Sequence, residues 1–161
     1  NTWQQHRIAR LVVQKLFGTV TGKRLAILGF AFKADTNDTR EAPAIRICQD
    51  LLEEGAQLVI HDPKVATDQM ARDLQQESAS QVDALSGSGS WARANSVEDA
   101  VMGADAVLVL TEWQYYRDLN WQALAARMRK PAWVFDARAV ADPAQIKAAG
   151  LSLWRVGDGE G

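Results

Sequence analysis

Four groups of polar residues follow short apolar runs in this sequence, and their side chains could bind an anionic ligand. The first group lies in segment 29–41, contains Lys33 and Arg40, and follows the apolar run Leu25–Leu28. The other groups follow later apolar runs and are His61-Asp62, Thr111-Glu112 and Asp136-Ala137-Arg138. The carboxyl ends of parallel strands meet at one edge of a sheet, so we expect these groups to converge.

Two cations, Lys33 and Arg138, are expected to flank one crevice at that edge. Ammonium and guanidinium groups donate hydrogen bonds to phosphate, so the pair suits a diphosphate or a polyhydroxylated anionic ligand. The alternative interpretation is that both are solvated charges of ordinary surface loops. Their spacing along the chain leaves both interpretations open.

Other residues with possible chemistry also have simpler structural explanations. Cys48 lies on the apolar face of a predicted helix, which favours a small, inert, buried side chain over a nucleophile. Asp62 could hold a ribose hydroxyl, but an Asp-Pro pair also forms a turn. Trp113, Tyr115 and Tyr116 could line a sugar pocket or belong to the core.

Motifs of several enzyme classes are missing from the sequence. The first predicted strand is followed by Gly29-Phe30-Ala31-Phe32 instead of G-x-G-x-x-G, so a glycine-rich turn around a pyrophosphate is not expected. His6 and His61 are isolated, and Cys48 is the only cysteine, so we expect no metal site and no internal disulfide. No catalytic residue is therefore assigned in this chain.

Composition and charge are typical of one soluble globular domain. The 161 residues are 47% hydrophobic and 24% charged, with a formal net charge of −2 at pH 7. This balance gives no reason to expect nucleic acid or an anionic membrane as a partner. No apolar run approaches the roughly 18 residues of a membrane span. The single cysteine fits a reducing compartment, so we expect a cytoplasmic protein.

Apolar runs alternate with amphipathic segments along the chain. This alternation predicts an α/β fold with a doubly wound, mostly parallel sheet of five or six strands and helices on both faces. The predicted strands are 24–30, 57–62, 91–94, 106–110, 132–136 and 151–156. The predicted helices are 1–17, 43–54, 67–76 with Thr67 as its cap, 96–102 with Ser96 as its cap, 119–128 and 143–150.

The first helix has no start signal, so we interpret it as the end of a longer connecting helix. The chain starts within that helix, which suggests a piece of a longer protein. We therefore expect the end of a connecting helix at 1–18, the sheet domain at 19–157 and a flexible tail at 158–161. The small residues within 78–90 predict a surface loop or a disordered one.

The segment Gly29–Glu41 (GFAFKADTNDTRE) resembles the signature loop of the UDP-glucose/GDP-mannose dehydrogenase family. The resemblance continues in order through residues 61–64 (HDPK), 111–113 (TEW) and 135–138 (FDAR). It implies an enzyme of two Rossmann-like halves joined by a long helix. The amino-terminal half binds NAD, the linking region carries a catalytic cysteine, and this chain corresponds to the UDP-binding carboxyl-terminal half.

The resemblance also implies roles for four residues. Phe32 and Lys33 match positions that contact the UDP-sugar, and Arg138 matches the arginine of an Asp-x-Arg motif that reaches the same substrate. Arg40 matches an arginine that reaches NAD across the crevice between the halves. Many relatives have Arg or Asn where this chain has Ala139, so the identity of the sugar is open.

The implied reaction is oxidation of the C6 alcohol of a nucleotide sugar to a carboxylate with NAD, through an aldehyde and a cysteine thioester. UDP-glucose is the expected substrate and UDP-glucuronate the product. The implied partners are the NAD-binding half and further copies of the enzyme in a homodimer or larger oligomer, and this chain alone is expected to be inactive. Alternatives are a GDP-mannose or UDP-N-acetylhexosamine dehydrogenase domain, or a non-catalytic assembly module.

Overall fold

Six strands form one wholly parallel sheet in the part of the chain that this computed structural model describes, residues 2–79, 85 and 89–157, with side chains from residue 6 onward. Most of the loop predicted at 78–90, and all of the tail predicted at 158–161, lie outside the described residues. The strands are β1 (Arg24–Leu28), β2 (Gln57–His61), β3 (Ser90–Arg93), β4 (Ala106–Val109), β5 (Trp133–Asp136) and β6 (Ser152–Arg155). The helices are α1 (Thr2–Lys15), α2 (Pro43–Glu53), α3 (Thr67–Leu74), α4 (Val97–Val101), α5 (Gln114–Arg117), α6 (Trp121–Ala125) and α7 (Pro143–Ala148).

The continuous apolar runs form the centre of the sheet. In β1 the residues from Leu25 to Leu28 are buried, and in β4 every residue is buried. Successive side chains of a strand point to opposite faces, so burial without alternation means that both faces are covered. The chain runs from β1 to β3 in one direction and from β4 to β6 in the other, and crossovers of the usual right hand then place helices on both faces. The predicted doubly wound α/β fold is therefore confirmed.

Local sequence signals explain where several helices begin and end. Pro43 starts α2, where its missing N–H removes no helical hydrogen bond, and Gly55 follows that helix with φ +89°. The Ser96 side chain accepts a hydrogen bond from the Asp99 N–H and caps α4, as predicted. The segment predicted as a short edge strand is β3, which lies at one end of the strand order.

Two details of the predicted helices are wrong. The residue before α3 is Ala66, whose backbone is extended and which has no side chain to cap the helix, so Thr67 is the first helical residue and not the cap. The helix predicted at 119–128 spans only α6, because the Asn120 side chain accepts from the Ala123 N–H and starts the helix at Trp121. The short helix α5 was not predicted.

Helix α1 precedes the sheet and packs against α2. His6 Nδ1 lies 2.5 Å from Asp50 Oδ2 and links the two helices. Leu11, Val12 and Leu16 are buried in the common core, so the end of α1 is part of the fold. No helix in the described residues is both long and apolar enough to cross a bilayer.

Candidate functional site

The carboxyl edge of the sheet carries the polar groups singled out in the sequence. The strand order is β3-β2-β1-β4-β5-β6, so the chain leaves β1 in one direction and β4 in the other. Ligands of open parallel sheets bind outside the carboxyl ends of the strands at such a reversal point. We call the carboxyl edge the loops after β1, β2, β4 and β5, which are residues 29–42, 62–66, 110–113 and 137–142.

Gly29 brings the β1 loop into close contact with the β4 loop. Its φ is +99°, and a Cβ placed on it would lie 2.4 Å from Thr111 Cβ, so only glycine fits. The buried Thr111 hydroxyl donates a hydrogen bond of 2.9 Å to the Ala31 carbonyl oxygen. The loops after β1 and β4, which border the reversal point, are therefore held in direct contact.

Asp62 connects three of the four loops. Its side chain is fully buried, and Oδ2 accepts from the N–H groups of Phe30 and Ala31 at 2.8 and 3.0 Å and from the Trp113 indole at 3.2 Å. Oδ1 accepts from the backbone N–H groups of residues 64 and 65 at 2.8 and 3.1 Å. Asp62 therefore organises the loops, which favours the turn interpretation over contact with a ribose.

Asp136 has the same function in the β5 loop. It is fully buried, and its carboxylate accepts from the Arg138 N–H at 3.1 Å and from the Ala141 N–H at 2.7 Å. Between these anchors Ala139 has a φ of +57°, a left-handed conformation that costs a non-glycine residue about 1 kcal/mol or more. The buried Asp136 carboxylate thus fixes the backbone on either side of Arg138.

The β1 loop exposes the residues predicted to contact the substrate. Phe32 is 45% exposed and Lys33 is exposed as well, although the preceding Phe30 and Ala31 are buried. The Phe32 N–H donates to the Asp38 carbonyl oxygen at 2.7 Å, so the loop turns back on itself. This turn presents the two side chains at the outer surface of the carboxyl edge.

Arg40 forms a local ion pair within the same loop. Its Nε and Nη2 donate to the two Asp38 carboxylate oxygens at 3.1 and 3.0 Å, and its side chain is 89% exposed. Hydrogen bonds from Arg40 lower the pKa of the Asp38 carboxyl to about 2, and the same pairing raises the pKa of Arg40. Arg40 therefore points into solvent from a loop that its own ion pair helps to shape.

Arg138 forms an ion pair across two strands. Its Nε and Nη2 donate to Glu112 Oε1 at 3.1 and 2.8 Å, which links the β5 loop to the β4 loop. Lys33 follows β1, and β4 lies between β1 and β5. Two strand spacings correspond to about 10 Å. The structure thus places Lys33 and Arg138 on the same edge of the sheet, while their contact with a ligand stays a prediction.

The aromatic residues of the β4 loop and of α5 mostly belong to the core. Trp113 and Tyr116 are buried, whereas Tyr115 is 50% exposed. The Tyr116 hydroxyl lies 2.8 Å from His61 Nδ1 and donates to the His61 carbonyl oxygen. Burial lowers the pKa of His61 and raises the pKa of Tyr116, so both are neutral near pH 7.

Cys48 is fully buried in α2, as predicted, and burial raises the pKa of its thiol. A thiol without solvent access cannot attack a substrate. Among the described residues, no group of three or more His, Cys, Asp and Glu side chains is placed to hold a metal ion.

The anchoring residues were missed by sequence reasoning. Asp62 was considered as a ribose ligand or part of a turn, Asp136 only as a polar group at a strand end, and Glu112 received no role. One signal was available, because an aspartate stands at the end of two apolar runs, in QLVIHD and WVFD. An aspartate at a strand end can accept hydrogen bonds from the loop N–H groups that follow.

The strand order and the loops at the carboxyl edge define a Rossmann-type α/β domain. Residues 26–143 match the UDP-glucose/GDP-mannose dehydrogenase family, UDP binding domain. The chain therefore belongs to the UDP-glucose/GDP-mannose dehydrogenase family and contains its UDP-binding domain. This confirms the resemblance seen in the sequence.

Relatives and solved structures agree with this assignment. UDP-glucose 6-dehydrogenase 5 of Oryza sativa subsp. japonica is 39% identical over 168 residues, which cover 98% of this chain and 34% of the relative. The NDP-N-acetyl-D-galactosaminuronic acid dehydrogenase of Methanosarcina mazei Go1 superposes with a TM-score of 0.72 at 21% identity, over 96% of this chain and 29% of that one. A UDP-glucose dehydrogenase of Pyrobaculum islandicum gives 0.66 at 22% identity, over 94% and 29%. These two structures share the fold, and the chain spans about a third of the length of the curated relatives it matches.

Proposed function

We propose that this chain is the UDP-sugar-binding part of an NAD-dependent UDP-glucose 6-dehydrogenase. In this proposal, Phe32, Lys33 and Arg138 contact UDP-glucose and Arg40 reaches the NAD cofactor. Residues 1–18 form the end of the helix that connects the two halves and takes part in a homodimer or larger oligomer, and residues 19–157 form the UDP-binding domain. A cytoplasmic location stays a prediction.

The observation that carries the proposal is the placement of two cations at the carboxyl edge of the sheet, on the two loops that flank the β4 loop. Lys33 is exposed on the β1 loop, and Arg138 extends from the β5 loop toward Glu112 on the β4 loop. Both loops are held by buried anchors, so the backbone positions of these cations need little reorganisation to meet a diphosphate. Preorganised charged donors bind phosphate more tightly than flexible ones because less entropy is lost.

The chemistry of oxidation is assigned to the part of the relatives that this chain does not span. Cys48 is buried, so it cannot form the thioester of the proposed reaction. When bound, NAD would accept the hydride, and the residues of this chain would hold the nucleotide so that C6 of the sugar is correctly oriented. Binding energy from a remote part of the substrate can serve such positioning.

Isothermal titration of the 161-residue chain with UDP tests the proposal. We expect Lys33→Ala and Arg138→Ala each to weaken UDP binding by about tenfold or more, since a charge-assisted hydrogen bond contributes about 1.5–3 kcal/mol. Uridine has no phosphate, so its weaker binding should not respond to either change.

Arg129→Ala is the matched control. Arg129 is also an exposed cation, with a side chain that is 72% exposed. It lies beside Asp105, which precedes β4, so it is at the opposite edge of the sheet from the proposed site. We expect the Arg129→Ala variant to bind UDP with the same affinity as the wild type. UDP binding that ignores both Lys33→Ala and Arg138→Ala would contradict the proposed site, and preferred binding of GDP would favour a GDP-sugar instead.

A further inference from the structure

Glu112 occupies one particular edge of the Arg138 guanidinium group. Glu112 Oε1 accepts hydrogen bonds from both the Nε–H and the Nη2–H of Arg138. Arginine presents five N–H donors in one plane: a side edge formed by Nε and Nη2, and an end edge formed by Nη1 and Nη2. Glu112 therefore takes the side edge, and the end edge keeps the parallel donors that match two oxygens of a phosphate.

Glu112 is itself held in place by its neighbours. The Thr111 hydroxyl donates to the Ala31 carbonyl oxygen, and the Trp113 indole donates to Asp62, so both flanking side chains point into the core. The Glu112 side chain between them is 30% exposed and faces the β5 loop. Its position is thus set by buried contacts on either side.

The backbone of Arg138 is fixed in a comparable way. Its N–H donates to the buried Asp136 carboxylate, and the next residue is held in the left-handed conformation. Since β4 lies between β5 and β1, an ion pair with Glu112 draws the guanidinium toward the loop of Lys33. The Arg40–Asp38 pair differs, because it joins residues two positions apart in one exposed loop.

We propose that Glu112 is a positioning residue for ligand binding: it holds the side edge of Arg138 so that the end edge faces a nucleoside diphosphate, and it stays paired when that ligand binds. This inference rests on the proposed function of Arg138. A partly exposed ion pair adds little to stability, so orientation is the property that this contact supplies. Lysine at position 138 could not replace arginine here, because it lacks two separate donor edges.

UDP titration of the wild type and two variants tests the inference. Glu112→Ala frees the Arg138 side chain, and we expect UDP binding to weaken about fivefold, the effect of immobilising one flexible side chain on binding. Glu112→Gln keeps an oxygen acceptor at the same place, so it should bind UDP at least as tightly as the wild type. In an Arg138→Ala background, Glu112→Ala should have no further effect, which a general loss of folding would not reproduce.

An NMR measurement follows the ion pair directly. The Arg138 Nε–H resonance should shift in Glu112→Ala, and in the wild type it should keep its hydrogen-bonded position when UDP saturates the chain. The inference is overturned if Glu112→Ala binds UDP as tightly as the wild type or more tightly, if the loss persists without Arg138, or if UDP displaces Glu112. Wild-type binding that is absent or independent of Arg138 would instead refute the proposed function on which the inference rests.

Discussion

Replacing Asp62 by asparagine should destabilise the fold by about 3–5 kcal/mol. The amide has a single oxygen, and placed on the Oδ2 side it keeps the three donors there, including the Trp113 indole. Its amino group then faces the backbone N–H groups of Lys64 and Val65, which lose their acceptor. Val65 is buried, so its unsatisfied N–H costs about 1–3 kcal/mol, the more exposed Lys64 N–H loses one hydrogen bond, and the three remaining hydrogen bonds weaken because the acceptor is no longer charged.

Urea unfolding followed by tryptophan fluorescence and circular dichroism measures this loss. A decrease of that size is a large share of the roughly 5–15 kcal/mol that stabilises a typical domain, so the midpoint should fall strongly at an unchanged slope. Asp68→Asn is the matched control, because the Asp68 side chain is 80% exposed and its contacts are an ion pair of 3.7 Å with Arg72 and a solvent-exposed hydrogen bond of 3.0 Å from the adjacent Gln69 N–H. That change should stay within about 0.5 kcal/mol. If Asp62→Asn unfolds within 1 kcal/mol of the wild type, roughly the value of one ordinary hydrogen bond, the role of Asp62 as the anchor of three loops is refuted.

Three further changes test other parts of the structure. Lowering the pH below about 6.5, toward the lowered pKa of His61, should destabilise the chain, because His61 binds a proton in the unfolded state at a higher pH than in the folded state. In urea unfolding, His61→Gln should therefore lose less unfolding free energy between pH 7 and 5.5 than the wild type. An equal loss in the two proteins would contradict this. Gly29→Ala should destabilise by more than about 2 kcal/mol, whereas Gly22→Ala, with φ +72° and no atom within 4 Å, should cost only about 1 kcal/mol; equal melting shifts would rule out the contact with Thr111. Cys48 should resist iodoacetamide at pH 8 in the folded chain, and rapid labelling seen by mass spectrometry would disprove its burial.

Much of the fold could be predicted from local sequence. The runs in β1 and β4 are apolar at consecutive positions and only four or five residues long, which is typical of strands covered on both faces. Helix α5 could not be predicted in this way. It has four residues, and its buried Tyr116 is held by His61, which lies 55 positions earlier in the chain. Such a contact overrides local propensity and leaves no periodic pattern.

The candidate site could be predicted only in its position. Strand ends placed Lys33 and Arg138 at one edge of the sheet, because the edge follows from the order of elements. The hydrogen bonds of Asp62 to the β1 loop could not be predicted, since Phe30 is 32 residues away. The partner of Arg138 was missed for the same reason, because Glu112 is 26 residues distant and meets it only through strand pairing.

The most direct test of the central claim is a map of UDP contacts on the chain by NMR titration of backbone amides. We expect the largest shifts at residues 29–33, 111–113 and 136–139, which together form the carboxyl edge around Lys33 and Arg138. Shifts concentrated instead at the opposite edge near Arg129, or where α1 meets α2 around His6 and Asp50, would contradict the account.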